Sequence, residues 1–252
     1  MAEAAADAAA GDAVLLRLDD VHTDIGNYQI LHGIGFEARR GRVMMLLGRN
    51  GAGKTTTLRT IMGLWRARQG RIEFDGRSLL GLSTPDIARL GIAYVPESMG
   101  IFGSLTVREN LLLASSPRGI DQQRLERLFE RFPALKLKWD APAGLLSGGQ
   151  KQMLSIGRAL VEPRRLLIVD EPTKGMSPAI VDQFIAALRA VKAEQTTLLL
   201  VEQNFRVAQE LGDDVAVVDQ GRIVHRGTMA ELRGDEALQQ RLLGLSLGAT
   251  DR

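Results

Sequence analysis

Gly48-Arg49-Asn50-Gly51-Ala52-Gly53-Lys54-Thr55 meets every fixed position of the pattern G-x-x-x-x-G-K-[ST]. In front of it, Val43-Met44-Met45-Leu46-Leu47 is an apolar run of buried-strand length. Behind it, Thr56-Thr57-Leu58-Arg59-Thr60-Ile61-Met62 carries Leu58, Ile61 and Met62 at helical spacing, and Gly63 supplies a stop. The octapeptide therefore lies between a strand and a helix, the setting its chemistry requires. Glycines let the backbone curl so that successive N–H groups converge on phosphate oxygens. The helix N-terminus adds partial positive charge. Lys54 can reach the β- and γ-phosphates of a nucleotide, and the Thr55 hydroxyl can ligate Mg2+. Gly48 to Thr55, with Thr56 just beyond, are the expected nucleotide contacts.

A phosphate loop does not say what becomes of the nucleotide. A second signal is Leu166-Leu167-Ile168-Val169-Asp170-Glu171, four apolar residues with two carboxylates emerging at the C-terminal end. Open α/β sheets bind ligands at that end of their strands. Asp170 is expected to hold Mg2+ through its water shell, opposite Thr55. Glu171 is expected to polarise the water that attacks the γ-phosphate. A third signal is Leu146-Ser147-Gly148-Gly149-Gln150. Ser147 can cap a helix whose apolar face is Met153, Ile156 and Leu160. Its hydroxyl and the bare N–H groups of Gly148 and Gly149 make a second anion-binding helix start.

Composition narrows the classes further. The 252 residues include 32 basic and 30 acidic side chains, a formal net charge of +2, so no basic footprint for nucleic acid is visible. There are no cysteines, which excludes disulfides, thiolate zinc sites and a cysteine nucleophile. His22, His32 and His225 are scattered without ligand spacing. No apolar run approaches membrane-spanning length. The alanine-rich residues 1–12 lack the basic and apolar regions of a signal peptide and read as a disordered tail, with a second tail at 246–252.

Along the chain, 14–21 and 30–38 read as strands joined by a turn at Gly26-Asn27. Gly70 is read as leading into a strand over 71–74 that ends in an Asp-Gly turn. From 97 to 163 the pattern is mostly helical, with capping-box spacing at Thr106 and Glu109. Strands at 166–169, 197–201 and 215–219 then alternate with helices at 178–192 and 204–211. Gln220-Gly221 reads as the turn of a hairpin, and 227–243 as two short helices. This alternation means a mainly parallel sheet covered on both faces. The early strands form a small antiparallel sheet, and 97–163 a helical lobe inserted into a domain spanning 13–245.

The phosphate loop, the Leu-Ser-Gly-Gly-Gln stretch and the Asp-Glu strand, in this arrangement, resemble the nucleotide-binding subunits of ABC transporters over nearly all of the chain after residue 13. The resemblance implies an α/β fold of the P-loop NTPase class. It also implies ATP and Mg2+ as cofactors and a head-to-tail dimer, with a second ABC ATPase subunit or a second copy of this chain. In that family the phosphate loop of one subunit and the signature helix of the other sandwich each ATP. One copy of each motif then cannot close a site alone. Two transmembrane permease subunits, an extracytoplasmic solute-binding protein engaged indirectly, and a peripheral place on the cytoplasmic face of the membrane follow from the same resemblance.

Several positions depart from the usual family pattern. Glu97, after Val95-Pro96, stands where a glutamine senses Mg2+ and γ-phosphate. Lys174 and Ser177, in Glu171-Pro172-Thr173-Lys174-Gly175-Met176-Ser177, replace a serine and an aspartate. Gln203 stands where a switch histidine is usual. With Glu97-Ser98-Met99-Gly100-Ile101-Phe102, these departures resemble the shorter ATPase subunit of branched-chain amino acid importers in the hydrophobic amino acid uptake class, whose relatives serve urea or short amides. By this resemblance Glu171, Gln203 and Lys54 are catalytic, and Thr55, Glu97 and Asp170 surround the metal. Gln203 can donate a hydrogen bond but cannot titrate. Ile25 aligns with the adenine-stacking aromatic, and Tyr28 is the nearby substitute or an ordinary turn tyrosine. Ile101 and Phe102 either meet a permease helix or pack into the lobe.

Competing classes are a soluble ABC ATPase acting on ribosomes or DNA, a small-molecule kinase and a non-catalytic interaction subunit. The first usually carries paired motif sets or long coiled-coil insertions, and neither is present. The kinase has no need of Leu146 to Gln150. The intact Lys54, Asp170 and Glu171 argue against the last.

Overall fold

The computed structural model describes residues 13–244; both expected tails lie outside the described residues. Among the described residues, ten strands form two sheets. β1 (Val14–Ile25), β2 (Tyr28–Arg39), β4 (Ala67–Phe74) and β5 (Arg77–Ser78) make an antiparallel sheet in the order β2-β1-β4-β5. β3 (Val43–Leu47), β6 (Ile92–Val95), β7 (Leu166–Asp170), β8 (Thr197–Val201), β9 (Asp214–Asp219) and β10 (Arg222–Thr228) make the second, in the order β10-β9-β3-β8-β7-β6. All neighbours in it are parallel except the hairpin β9-β10.

The first hairpin turns at Gly26-Asn27 as expected, but its strands run longer than the sequence suggests, to Ile25 and from Tyr28. Regular alternation fails at Asp19-Asp20 because a bulge lies there, with Asp20 at a φ of 47° and the register shifting between Leu18 and Val21. The same bulge corrects the reading of Gly70. It sits inside β4 rather than before it, and glycine is needed there because a Cβ would lie 2.3 Å from the Asp20 carbonyl oxygen. A glycine that looked like punctuation is a close approach between strands.

Parallel strands covered on both faces should read as unbroken apolar runs, and β3, β7 and β8 are buried throughout. Their side chains feed two cores in turn. Val43, Met45 and Leu47 join a core with Leu167, Val169, Leu198 and Leu200. Met44 and Leu46 join the other with Ile168, Leu199 and Val201. In the second core lies α1 (Lys54–Ile61), whose Leu58 and Ile61 pack between the parallel sheet and the antiparallel one.

The first core is closed by the helices. The short α2 (Thr84–Arg89) precedes β6, and between β6 and β7 come α3 (Val107–Ala114), α4 (Gln122–Arg131), α5 (Pro133–Leu137) and α6 (Gly148–Leu160) of the helical lobe. Leu111, Leu128, Leu135 and Ile156 of the lobe share this core with Phe184 and Leu188 of α7 (Pro178–Ala193). The Thr106–Glu109 capping box at the start of α3 is formed in both directions. The chain ends with α8 (Phe205–Leu211), α9 (Met229–Gly234) and α10 (Glu236–Leu243). Among the described residues no helix is long and apolar enough to cross a membrane.

Candidate functional site

The parallel strands β3, β7 and β8 end side by side, and the loops that leave them carry the chemistry. The phosphate loop follows β3, Asp170 and Glu171 close β7, and Glu202 and Gln203 follow β8. Gly48 is required by contact: a Cβ would lie 2.2 Å from the Val218 carbonyl oxygen of β9. The hairpin beyond β9 also holds the loop, with Gly221 N donating to Ala52 O at 2.8 Å.

Lys54 is buried at the first position of α1. Its Nζ donates to the carbonyls of Gly48 at 2.8 Å and Arg49 at 3.0 Å, curling over its own loop. It also stands 3.4 Å from Glu171 Oε1. Thr55 Oγ1 donates to Asp170 Oδ1 at 3.2 Å, so the loop and the Asp-Glu strand meet directly. Asp170 is fully buried, and its carboxyl is held above the usual range by that burial, then by the neighbouring charges of Glu171 and Glu97 against the favourable Thr55 bond. Glu171 has a left-handed backbone, φ 47°, and its N–H donates to Val201 O at 2.9 Å. This twist turns the chain off β7.

The hydroxyl of Thr55 and the carboxylate of Asp170 are hard oxygen donors at one place, a donor set that fits Mg2+. Glu97 is engaged by Lys174 Nζ at 2.6 Å. Gln203 Nε2 donates to Asn50 Oδ1 at 2.5 Å, which brings the loop after β8 onto the phosphate loop. Thr56 occupies the first turn of α1 and accepts, through its carbonyl, from Thr60 Oγ1.

Ser147, Gly148, Gly149 and Gln150 are placed elsewhere, at the start of α6 in the lobe. Ser147 and Gln150 form a reciprocal capping box. The two glycines differ. A Cβ on Gly149 would lie 2.7 Å from Ile180 Cγ2 of α7, whereas one on Gly148 would meet nothing within 4 Å. Gly149 is needed by the chain's own packing and Gly148 is not. Tyr28 is 76% exposed where β2 begins, directly paired with Ile25 across the hairpin. Ile101 packs against the first core. Phe102 is half-exposed, with the Arg158 guanidinium 5.0 Å from its ring centroid.

Two residues of this neighbourhood, Tyr94 and Glu202, carry no motif, and a third, Lys174, has partners that its motif did not indicate. Tyr94 OH donates to Asp170 Oδ2 at 3.3 Å, and burial followed by the Asp170 charge pushes its phenol up to about 12. A polar side chain in the otherwise apolar 92–95 was its one signal. Lys174 reaches Glu97 and also lies 3.6 Å from Glu171 Oε2. Glu202, almost fully buried, accepts from Thr173 N and Oγ1 through one oxygen and from Gln203 N and Asn204 N through the other. Burial nevertheless raises its carboxyl above the usual range. It fastens the loop after β7 to the loop after β8.

The site thus joins a phosphate loop to an Asp-Glu strand, with a Ser-Gly-Gly-Gln helix start in the lobe. The family model for "ABC transporter" matches residues 31–174, more than half of the chain. The high-affinity branched-chain amino acid transport ATP-binding protein BraG of Pseudomonas aeruginosa is 39% identical over 232 residues, spanning 91% of this chain and 100% of that protein. The probable branched-chain amino acid transport ATP-binding protein LivF of Archaeoglobus fulgidus is 31% identical over 236 residues, spanning 92% and 99%. Among solved structures, the ADP conformation of MJ1267, an ATP-binding cassette of an ABC transporter, superposes with a TM-score of 0.79 at 25% identity, covering 92% of this chain and 100% of that one. On family model, full-length relatives and fold together, this chain belongs to the ATP-binding proteins of the ABC transporter family.

Proposed function

We propose that the chain is the ATP-hydrolysing subunit of a multi-subunit importer for branched-chain or other hydrophobic amino acids. Both relatives described above are named for branched-chain amino acid transport and align over their whole lengths. The observation that carries the catalytic part is the closure between loop and strand: Lys54 against Glu171 and Thr55 against Asp170.

ATP enters with its phosphates on the N–H groups of the loop, from Gly48 to Thr56. Lys54 exchanges its carbonyl contacts for phosphate oxygens. Bound Mg2+ would neutralise phosphate charge, held by Thr55 and, through water, by Asp170. Glu171, turned off β7 by its left-handed backbone, orients and deprotonates the attacking water. Gln203 swings its amide from Asn50 to the γ-phosphate. Tyr28, exposed where β2 begins, offers its ring to the adenine.

Ser147 to Gln150 act on the ATP of a second subunit, another copy or a paralogue, in a head-to-tail dimer. The open space beside Gly148 suits such an approach. Two permease subunits receive the motion at the cytoplasmic face of the membrane, in a groove lined by Met62, Tyr94, Pro96, Met99, Ser155 and Ala159 beside Phe102. ATP drives this only through its higher affinity for the closed dimer.

The test is light scattering of Glu171→Gln with and without Mg-ATP. The expected result is an ATP-dependent shift from monomer to dimer that Ser147→Arg abolishes. A mutant that binds ATP yet stays monomeric, alone and when mixed with the paralogous ATPase subunit, overturns the composite site.

A further inference from the structure

Two departures from the family pattern meet in space. Glu97 follows β6 and Lys174 follows β7, strands paired in parallel with Val95 opposite Val169. Lys174 Nζ donates to Glu97 Oε1 at 2.6 Å and lies 3.6 Å from Glu171 Oε2. Lys54 Nζ lies 3.4 Å from the other oxygen of Glu171. Glu171 is therefore gripped by two ammoniums, one for each oxygen.

The carboxylates of Glu97, Asp170 and Glu171 converge here, and a polyphosphate adds further negative charge. A neutral glutamine at 97 would bring no such repulsion. We propose that Lys174 is a positioning residue of the ATPase site, whose ammonium neutralises Glu97 and braces Glu171 so that the γ-phosphate of Mg-ATP can settle beside a carboxylate. This rests on the ATPase reading above.

The ammonium is exposed, but the loop that aims it is fixed. Lys174 N donates to Glu171 O at 3.3 Å, and Thr173 is fastened to Glu202 through both its N–H and its hydroxyl. Glu97 lies in a loop closed by Met99 N donating to Pro96 O at 2.8 Å. The pair thus ties the segment lining the permease groove to the segment carrying the attacking base. An exposed ion pair contributes little to a fold. A merely structural pair would leave nucleotide affinity unchanged.

The experiment is a double-mutant cycle on the full chain. Mg-ATP dissociation constants are measured at low and high ionic strength for wild type, Lys174→Ala, Glu97→Gln and the double mutant, with steady-state hydrolysis alongside. Lys174→Ala should weaken binding about fivefold at low salt, less at high salt. In the Glu97→Gln background the same substitution should change binding by less than about twofold. Lys174→Arg, which keeps the charge, should bind like wild type, and melting curves report folding of each variant. The proposal is overturned if Lys174→Ala leaves affinity unchanged with Glu97 present, or weakens it equally in both backgrounds. Glu171→Gln separates the two readings. Full hydrolysis by that variant sinks the assigned base, while the binding cycle still decides on Lys174.

Discussion

Thr55 donates its hydroxyl to Asp170 across 3.2 Å, although 115 positions separate them in the chain. The contact places the acid that should serve a divalent cation in a fully buried position, beside two other carboxylates. Its pH consequence has a definite sign. Folded Asp170 has a pKa raised above 3.8, so the folded state binds this proton more tightly than the unfolded one. The stability it contributes is present at acid pH and is lost as pH rises from 3.8 through the raised value. Asp170→Asn removes the charge, and its carboxamide can still accept from Thr55 and donate to the Tyr94 oxygen. Without nucleotide or Mg2+ this variant should melt higher than wild type at neutral pH, by on the order of 1 kcal/mol. The gap should shrink on acidification, and hydrolysis should be lost. Thermal melts across pH check it.

Lys54→Ala should abolish hydrolysis by about a hundredfold or more and weaken Mg-ATP binding sharply. The fold should survive, because Lys174 still stands 3.6 Å from Glu171, although Glu171 loses one of its two ammoniums and the Gly48 and Arg49 carbonyls lose their donor. Equilibrium nucleotide binding with a circular-dichroism melt distinguishes the two effects.

Glu202→Gln is isosteric yet should be harmful. The carboxylate accepts from four donors, and a carboxamide must turn its own NH2 toward two of them. The expected cost is about 1–3 kcal/mol of stability, with turnover falling further as Gln203 loses its bearing on the phosphate loop. Urea unfolding and steady-state hydrolysis of the same preparation measure both.

The neighbouring glycines of the signature should separate cleanly. Gly149→Ala drives a methyl to 2.7 Å from Ile180 and should cost about 1–3 kcal/mol. Gly148→Ala meets open space and should leave the melt unchanged while impairing ATP-driven dimerisation. Equal melts for both variants would contradict this packing.

The parts of the site that lie contiguously were legible in the sequence. The phosphate loop, its flanking strand and helix, and the Asp-Glu strand each state their chemistry within ten residues, because backbone curl, helix start and strand end are local events. What was not legible is what the strand order brings together. Tyr94 and Asp170 are 76 positions apart and Lys174 and Glu97 are 77. Only the parallel pairing of β6 with β7 makes neighbours of them. Glu202 read as one more acid after a strand, since burial and four donors are invisible in composition. Gly70 misled for the converse reason: a close approach to Asp20 looks like a loop signal when its partner strand is unseen.

The alternation of β3 between two cores makes its five residues a party wall. Met44 faces the layer that holds α1, Met45 the layer that holds the lobe, and the phosphate loop hangs from the end of both. Packing on either side of the wall therefore bears on the same loop. Amide exchange should accordingly slow in the antiparallel sheet and in the lobe together when nucleotide binds, as two rooms quieten when the wall between them is braced.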